Sequence, residues 1–205
     1  TWYDNNKRIL PWRVSQKSQS KQYYRILSEF MLQQTQVKTV IPYFENFVKK
    51  IPNLKILSAS SEKKILKLWE GLGYYRRAKN LHKTSKILIN SYNGKIPNSF
   101  IELKKMPGIG DYTANVLLAL IYNQPRIGID GNVKRILLRL FNVNFFDLTN
   151  LFKIKRNADF AEALMEFGAL ICKPKDPKCY ECSFKKICLY NKSQHKTKFK
   201  KKKRN

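Results

Sequence analysis

Acidic side chains are scarce in this sequence for its size. Fourteen Asp and Glu stand against 41 Lys and Arg in 205 residues, a formal net charge of +27 and a pI near 10.1. A balance this far from neutral makes a compact fold repel itself, and a polyanionic partner is its natural explanation. A basic tail on a neutral domain does not account for it, because Lys63, Lys64, Arg76, Arg77, Lys104, Lys105, Lys134 and Arg135 carry charge through the body. No uninterrupted apolar run reaches the roughly 20 residues of a membrane-spanning helix, and no signal-peptide pattern opens the chain. A soluble protein kept inside the cell is expected, with no membrane partner, in the cytoplasm or nucleoid if the cell is bacterial. Thr1 is not a natural start, so the natural chain is expected to begin earlier. Alternating strand patterns and internal repeats are missing too, which leaves an all-α chain. Its hydrophobic content of 43% is enough for a real core.

What is present reads as a series of helices. A short one is expected from Trp2 to Ile9, ended by Pro11. Apolar residues at helical spacing predict a second from Lys21 to Gln36, followed by Val37 to about Lys49. Ser60 or Ser61 can cap a short helix carrying Ile65, Leu66, Leu68 and Trp69. After the turn G-L-G-Y-Y, a helix from about Arg76 to Tyr92 closes at Asn93-Gly94, which suits a left-handed cap. Another starts after Pro97-Asn98-Ser99 and ends at Lys105. Two strong helices follow, about Asp111 to Tyr122 and Gly131 to Phe141. The last long one, capped by Asn157 or Asp159, runs to about Ile171. Residues 191–205 form a basic tail expected to stay disordered.

Three features carry chemistry. In Pro107-Gly108-Ile109-Gly110 the glycines permit a tight turn, and the helix that follows offers free amides and a positive dipole end to a phosphate oxygen. A tight helix–helix turn without a ligand is the plainer reading, but the basic body favours phosphate. Asp111 is expected to cap its own helix there. The four cysteines form C-x6-C-x2-C-x5-C at Cys172, Cys179, Cys182 and Cys188. Disulfides do not suit an intracellular chain, so four thiolates on one centre mean zinc or an iron–sulfur cluster, and generic spacing favours zinc. The scarce acids are informative by placement. Glu29 lies among bulky apolar groups on a helix; facing inward it would become a general acid near neutral pH, facing outward an ordinary solvated glutamate. Asp130 opens a helix, either as a plain N-cap or as an ionised carboxylate able to stabilise a developing cation.

Together these segments resemble the helix-hairpin-helix DNA glycosylases with an iron–sulfur cluster loop, most closely the MutY-type adenine DNA glycosylases. The resemblance rests on L-P-W-R at residues 10–13, S-E-F-M-L-Q-Q-T-Q-V at 28–37, W-E-G-L-G-Y-Y-R-R-A-K-N-L at 69–81, M-P-G-I-G-D-Y-T-A from Met106, I-D-G-N-V-K-R around Asp130, and F-G-A-L-I-C leading into the four cysteines. It covers about residues 2–190 in order.

The resemblance implies a six-helix lobe over 15–123, a cluster lobe from 1–14 and 124–190, and an active site in the cleft between them. It implies a [4Fe–4S] cluster on Cys172, Cys179, Cys182 and Cys188, overturning the preference for zinc. Glu29 matches the acid that protonates adenine, and Asp130 the carboxylate that stabilises the oxocarbenium-like sugar. Tyr112 stands where endonuclease III enzymes carry a lysine nucleophile; a phenol cannot form a Schiff base, so a monofunctional glycosylase is expected. Gln34 and Tyr74 match side chains that wedge into the base stack, Pro107 to Gly110 match the DNA-binding hairpin, and Trp12, Arg13 and Glu162 match adenine-pocket residues. The implied partner is double-stranded DNA with adenine opposite 8-oxoguanine or guanine, bound by a monomer. MutY-type enzymes normally add a C-terminal domain that reads 8-oxoguanine, and this chain stops short of one. Rivals are a thymine-releasing or endonuclease III-like enzyme of the same fold, and a non-catalytic hairpin module.

Overall fold

The computed structural model describes residues 1–14, 20–143 and 155–193, which fold into helices joined by turns, with no strand among them. The chain divides into two compact units, Ile9–Gln124 and Thr1–Arg8 with Pro125–Asn205.

The larger unit is built around helix α2 (Lys21–Leu32), in which every residue from Arg25 to Met31 is buried. A helix usually hides one stripe; burial all round requires neighbours on several sides. Helices α3 (Val37–Lys50), α6 (Arg76–Tyr92) and α8 (Asp111–Tyr122) supply them. Ile26, Leu27, Phe30 and Met31 are fully enclosed, each worth about 1.5–3 kcal/mol by apolar burial. Helix α5 (Glu62–Leu68) is capped by Ser61, whose hydroxyl accepts from the Lys64 amide at 3.2 Å, and α7 (Phe100–Lys104) is capped by Ser99. Asn93 ends α6 with φ 51°, as its sequence suggests.

Several expectations are corrected. Helix α4 (Leu54–Ala59) fills what reads as a bare connector: Asn53 caps it by accepting from the Ile56 amide at 2.9 Å, and Leu54 and Leu57 are buried. Six residues are too few to show a helical period. Helix α2 stops at Leu32, four residues early, because the chain turns through a left-handed Gln34. Residues 9–14, expected with the cysteine segment, join the larger unit, since Leu10 and Trp12 are buried in its core and Trp12 packs edge-on against Phe44 at 5.3 Å.

In the smaller unit, α1 (Trp2–Asn6) is capped by Thr1 and ends short of Ile9. Helix α9 (Gly131–Phe141) packs on α10 (Asn157–Leu170) around Ile136, Leu140, Phe167 and Ile171. Neither Asn157 nor Asp159 caps α10: the cap position is Arg156, which instead pairs with Asp159 and with Asp4 of α1, each at 2.6 Å. Arg8 grips the buried Glu166 through Nε and Nη2 at 2.8 and 2.9 Å, the forked geometry that makes a buried ion pair tolerable. Residues 189–193 are helical, so the first three positions of the expected tail are ordered; its remainder, with 15–19 and 144–154, lies outside the described residues.

Candidate active site and nucleic-acid interface

In the larger unit, Glu29 lies on the enclosed helix α2 and is only 7% exposed. The solvated-glutamate reading is therefore wrong. Its neighbours in the helix, Ser28 and Phe30, are fully buried.

Three loops meet beyond the C-terminal end of α2. The loop after it carries Gln34, the turn before α6 carries Tyr74, and the hairpin Pro107–Gly110 precedes α8. Gln33 donates from Nε2 to the Gly108 carbonyl at 3.2 Å, and Thr84 of α6 donates to the Pro107 carbonyl at 2.9 Å. Gly108 has φ 81°, and a Cβ there would come within 2.7 Å of Phe30 and 3.0 Å of Asn80. Only glycine fits that backbone and that space. Gly110 is different: its φ is −90°, and an added Cβ would meet nothing within 4 Å. Its backbone therefore has an open side, as an approaching phosphate needs.

Ile109 serves the hairpin as an anchor. Its side chain is buried in the core and its amide donates to the Met106 carbonyl at 3.2 Å, so both groups are committed within the fold. Asp111 does not cap α8 either; the cap position is Gly110. The Asp111 carboxylate instead pairs with Lys104, which offsets a charge that would otherwise repel a phosphate. Tyr112 is half-buried in the first turn of α8.

Gln34 and Tyr74 are exposed, Tyr74 at 61%, and both hold left-handed backbone, φ 58° and 48°. Beneath them lies Arg77. The sequence suggests surface charge, yet its side chain is buried and its guanidinium donates to five backbone carbonyls. Burial pushes its pKa down, partly offset by Tyr74. The clue is its register: Arg77 shares a face of α6 with Ala78, Leu81 and Leu88, all buried.

In the smaller unit, Asp130 caps α9, accepting from the Val133 amide at 2.7 Å on Oδ1 and from Asn132 Nδ2 at 2.8 Å on Oδ2. Asn132 Oδ1 accepts from Arg135 Nη2 at 2.7 Å. Arg135 also donates to the carbonyls of Gly168 and Cys172, at 2.8 and 2.7 Å. Asn132 and Arg135 are supporting residues that spacing alone does not reveal. The N-cap reading of Asp130 is correct as geometry, and it leaves the carboxylate half-exposed. Glu162 is buried and accepts a hydrogen bond from the Tyr3 hydroxyl. Arg13, in the larger unit, is half-buried beside the fully enclosed Trp12.

Cys172, Cys179, Cys182 and Cys188 all line one cavity, closed by Ile136, Leu140 and Tyr190. Arg139 spans its rim, donating to Cys172 Sγ at 3.5 Å and to the Lys173 carbonyl at 2.6 Å, while Cys188 Sγ donates to the Arg139 carbonyl at 3.3 Å. Burial, and then the neighbouring thiols, push the Cys179 pKa up against the pull of Arg139, and burial pushes that of Cys182 up as well. Among the described residues no three Cys, His, Asp or Glu are arranged to hold a single metal ion. No helix among these residues is long and apolar enough to cross a membrane.

Comparison with known proteins places this architecture. The chain is 42% identical over 198 residues to the adenine DNA glycosylase of Buchnera aphidicola subsp. Baizongia pistaciae, covering 91% of this chain and 55% of that protein. It is 35% identical over 205 residues to the adenine DNA glycosylase of Rattus norvegicus, covering 92% and 40%. It thus spans about half the length of the curated relatives it matches. The solved structure of a thermostable thymine-DNA glycosylase superposes with a TM-score of 0.83 at 25% identity, over 94% of this chain and 92% of that one. An endonuclease III–DNA complex shares the fold, with a TM-score of 0.73 at 23% identity and 95% of both chains covered. A family model matches residues 27–155, more than half of the sequence, and the chain belongs to the HhH-GPD superfamily of base excision DNA repair proteins.

Proposed function

We propose that this chain is the catalytic part of a monofunctional adenine DNA glycosylase, which hydrolyses the N-glycosidic bond of adenine mispaired with 8-oxoguanine or guanine. The burial of Glu29 carries the reading: a glutamate buried on the enclosed helix α2, beside loops that expose Gln34 and Tyr74, suits a general acid that acts on a base taken out of the stack. The 42% identity to an adenine DNA glycosylase supports adenine as that base.

Glu29 protonates N7 of adenine, drawing electrons from the C1′–N9 bond until it breaks and the base leaves. Asp130 stabilises the positive charge that develops on the sugar, and water then adds at C1′. Tyr112 supplies no amine, so no Schiff base forms and the strand stays intact. Gln34 and Tyr74 fill the space the adenine vacates, offsetting the lost stacking. Backbone amides of Gly108 and Gly110 in the hairpin hold a phosphate of the same strand. Arg13, Trp12 and Glu162 are assigned to the adenine pocket by resemblance; the burial of Trp12 and the Tyr3 bond to Glu162 favour supporting roles for those two.

The four cysteines fit a [4Fe–4S] cluster, because they surround one cavity. Such a cluster would hold the 172–188 segment in shape and take no part in hydrolysis. The protein is a monomer working inside the cell on duplex DNA, in keeping with its charge of +27.

The test uses duplexes bearing A opposite 8-oxoguanine, A opposite G, or T opposite G, followed by alkali. Breaks at adenine alone are expected. Breaks only at T would instead support the thymine-releasing reading, toward which the likeness to the thymine-DNA glycosylase points. No breaks anywhere would reduce the chain to a DNA-binding module. The purified protein should be brown with broad visible absorption, and a colourless protein with stoichiometric zinc would refute the cluster.

A further inference from the structure

Six non-glycine residues among those described have positive φ, and four of them are Asn or Asp. Asn93, Asn123 and Asn142 each end a helix, where that residue type and conformation are ordinary. Gln34 and Tyr74 are the other two, and neither type favours the left-handed region. Each is strained and persists only where surrounding contacts over-determine it. One side chain reaches both. Arg77 Nη1 donates to the carbonyls of Phe30, Met31 and Gln33 at 3.2, 2.6 and 2.6 Å, and Nη2 to those of Leu72 and Gly73 at 3.3 and 3.0 Å. Two of these acceptors, Gln33 O and Gly73 O, belong to the peptide groups immediately before Gln34 and Tyr74. Fixing the orientation of a peptide plane restricts the φ of the residue that follows it. The guanidinium also lies 5.3 Å from the Tyr74 ring centroid and 5.5 Å from that of Trp69, whose indole N–H donates to Gly73 O at 3.1 Å.

We propose that Arg77 is a positioning residue that locks the loop after α2 and the turn before α6 into one rigid unit, so that Gln34 and Tyr74 enter the duplex together in a fixed mutual geometry. This rests on the reading of those two side chains as the wedge. A wedge built from two separate loops needs such a link. If either loop moved independently, the energy released by stacking one side chain would not offset the opening that the other must share. Arginine suits the position because its planar fork presents donors in two directions, toward carbonyls of both loops. Lysine brings a single nitrogen that cannot span the two sets.

The experiment compares the 205-residue chain with Arg77→Lys, which keeps the charge and most of the stem, and with Arg77→Met. Hydrogen exchange is read at residues 33–36 and 71–75. Base opening is read from 2-aminopurine fluorescence in a duplex where it replaces the target adenine, and adenine release in single turnover. Loss of exchange protection in both segments together is expected, with the rest of α2 and α6 unchanged. The fluorescence rise should be lost and release should slow by up to ~10²-fold, the scale of an ångström-level misplacement. In a Gln34→Ala/Tyr74→Ala background, adding Arg77→Lys should change release by less than about twofold, because coupled residues do not add. If Arg77→Met fails to fold, the lysine variant carries every readout. Protection lost in one segment only, or in neither, would overturn the clamp. So would loss in both with opening and release unchanged. A native chain that releases no adenine would overturn the functional reading instead, while the paired exchange result would still decide whether the two loops are tied.

Discussion

Gly168→Ala tests how the smaller unit holds Asp130 in place. Gly168 lies on α10 against the first turn of α9, where an added Cβ would stand 2.5 Å from Asn132 Cβ and 3.1 and 3.2 Å from its backbone Cα and C. Carbon atoms pack best at about 3.5–4.0 Å, so the two helices must separate by roughly 1 Å. Two of the three obstacles are backbone and cannot rotate away. Alanine gains about 1 kcal/mol over glycine in helix propensity, whereas overpacking costs about 1–3 kcal/mol, and the rigid obstacle puts this site near the upper end. The net expectation is a loss of about 1–2 kcal/mol, at about 2–4 °C in Tm per kcal/mol for a chain of this size. The same displacement reaches Asp130. Asn132 donates to Asp130 Oδ2 and accepts from Arg135, which also donates to the Gly168 carbonyl. Base release in single turnover should therefore fall by up to ~10²-fold, while affinity for undamaged duplex is unchanged. Gly131→Ala is the control, since a Cβ there meets nothing within 4 Å. It should leave both Tm and rate close to native. A Gly168→Ala protein with native Tm and native rate would refute the argument.

The two hairpin glycines should separate folding from binding. Gly108→Ala meets both a positive φ and Phe30, and should lower Tm by several degrees, whereas Gly110→Ala should melt as native yet bind duplex more weakly in a filter or anisotropy titration. Glu29→Gln and Asp130→Asn should each abolish base release and spare duplex binding; an active variant would remove the role assigned to that residue. With borohydride present the native chain should form no covalent adduct with DNA, because reductive trapping needs an amine on the sugar carbon; an adduct would overturn the monofunctional reading. His82 is buried, and burial followed by Lys86 pushes its pKa below the usual value. A depressed histidine stabilises the fold fully above its unfolded pKa of about 6.5 and loses that contribution as pH falls. Tm should thus decline between pH 7 and pH 5.5, and the decline should be shallower in His82→Gln.

Much of this was legible along the chain because it is local. Helix α8 begins at Asp111 and ends at Tyr122, and α9 runs from Gly131 to Phe141, as their apolar spacing and flanking turns indicate. Left-handed Asn93 and the left-handed Gly108 hairpin follow from residue type. The family could be named from motif order alone, and the family match agrees. Local signals failed where two options were chemically equivalent. Asp111, Asn157 and Asp159 are all competent caps, but Lys104 and Arg156 draw off two of these carboxylates and Gly110 and Arg156 take the cap positions. Helix α4 was hidden because burial of Leu54 and Leu57 against the rest of the unit, not periodicity, sustains its six residues.

By itself, then, the sequence determined an all-α chain with a glycine hairpin, clustered cysteines, a strongly basic body and two well-placed acids. Those depend on residue type and on neighbours a few positions away. The tertiary structure alone decided that Glu29 is enclosed, since a glutamate in an amphipathic pattern reads the same whether its outer face meets water or another helix. It also decided that Arg77 belongs inside. In a chain with 41 basic residues its register on α6 is a weak mark until two distant loops turn their carbonyls toward it.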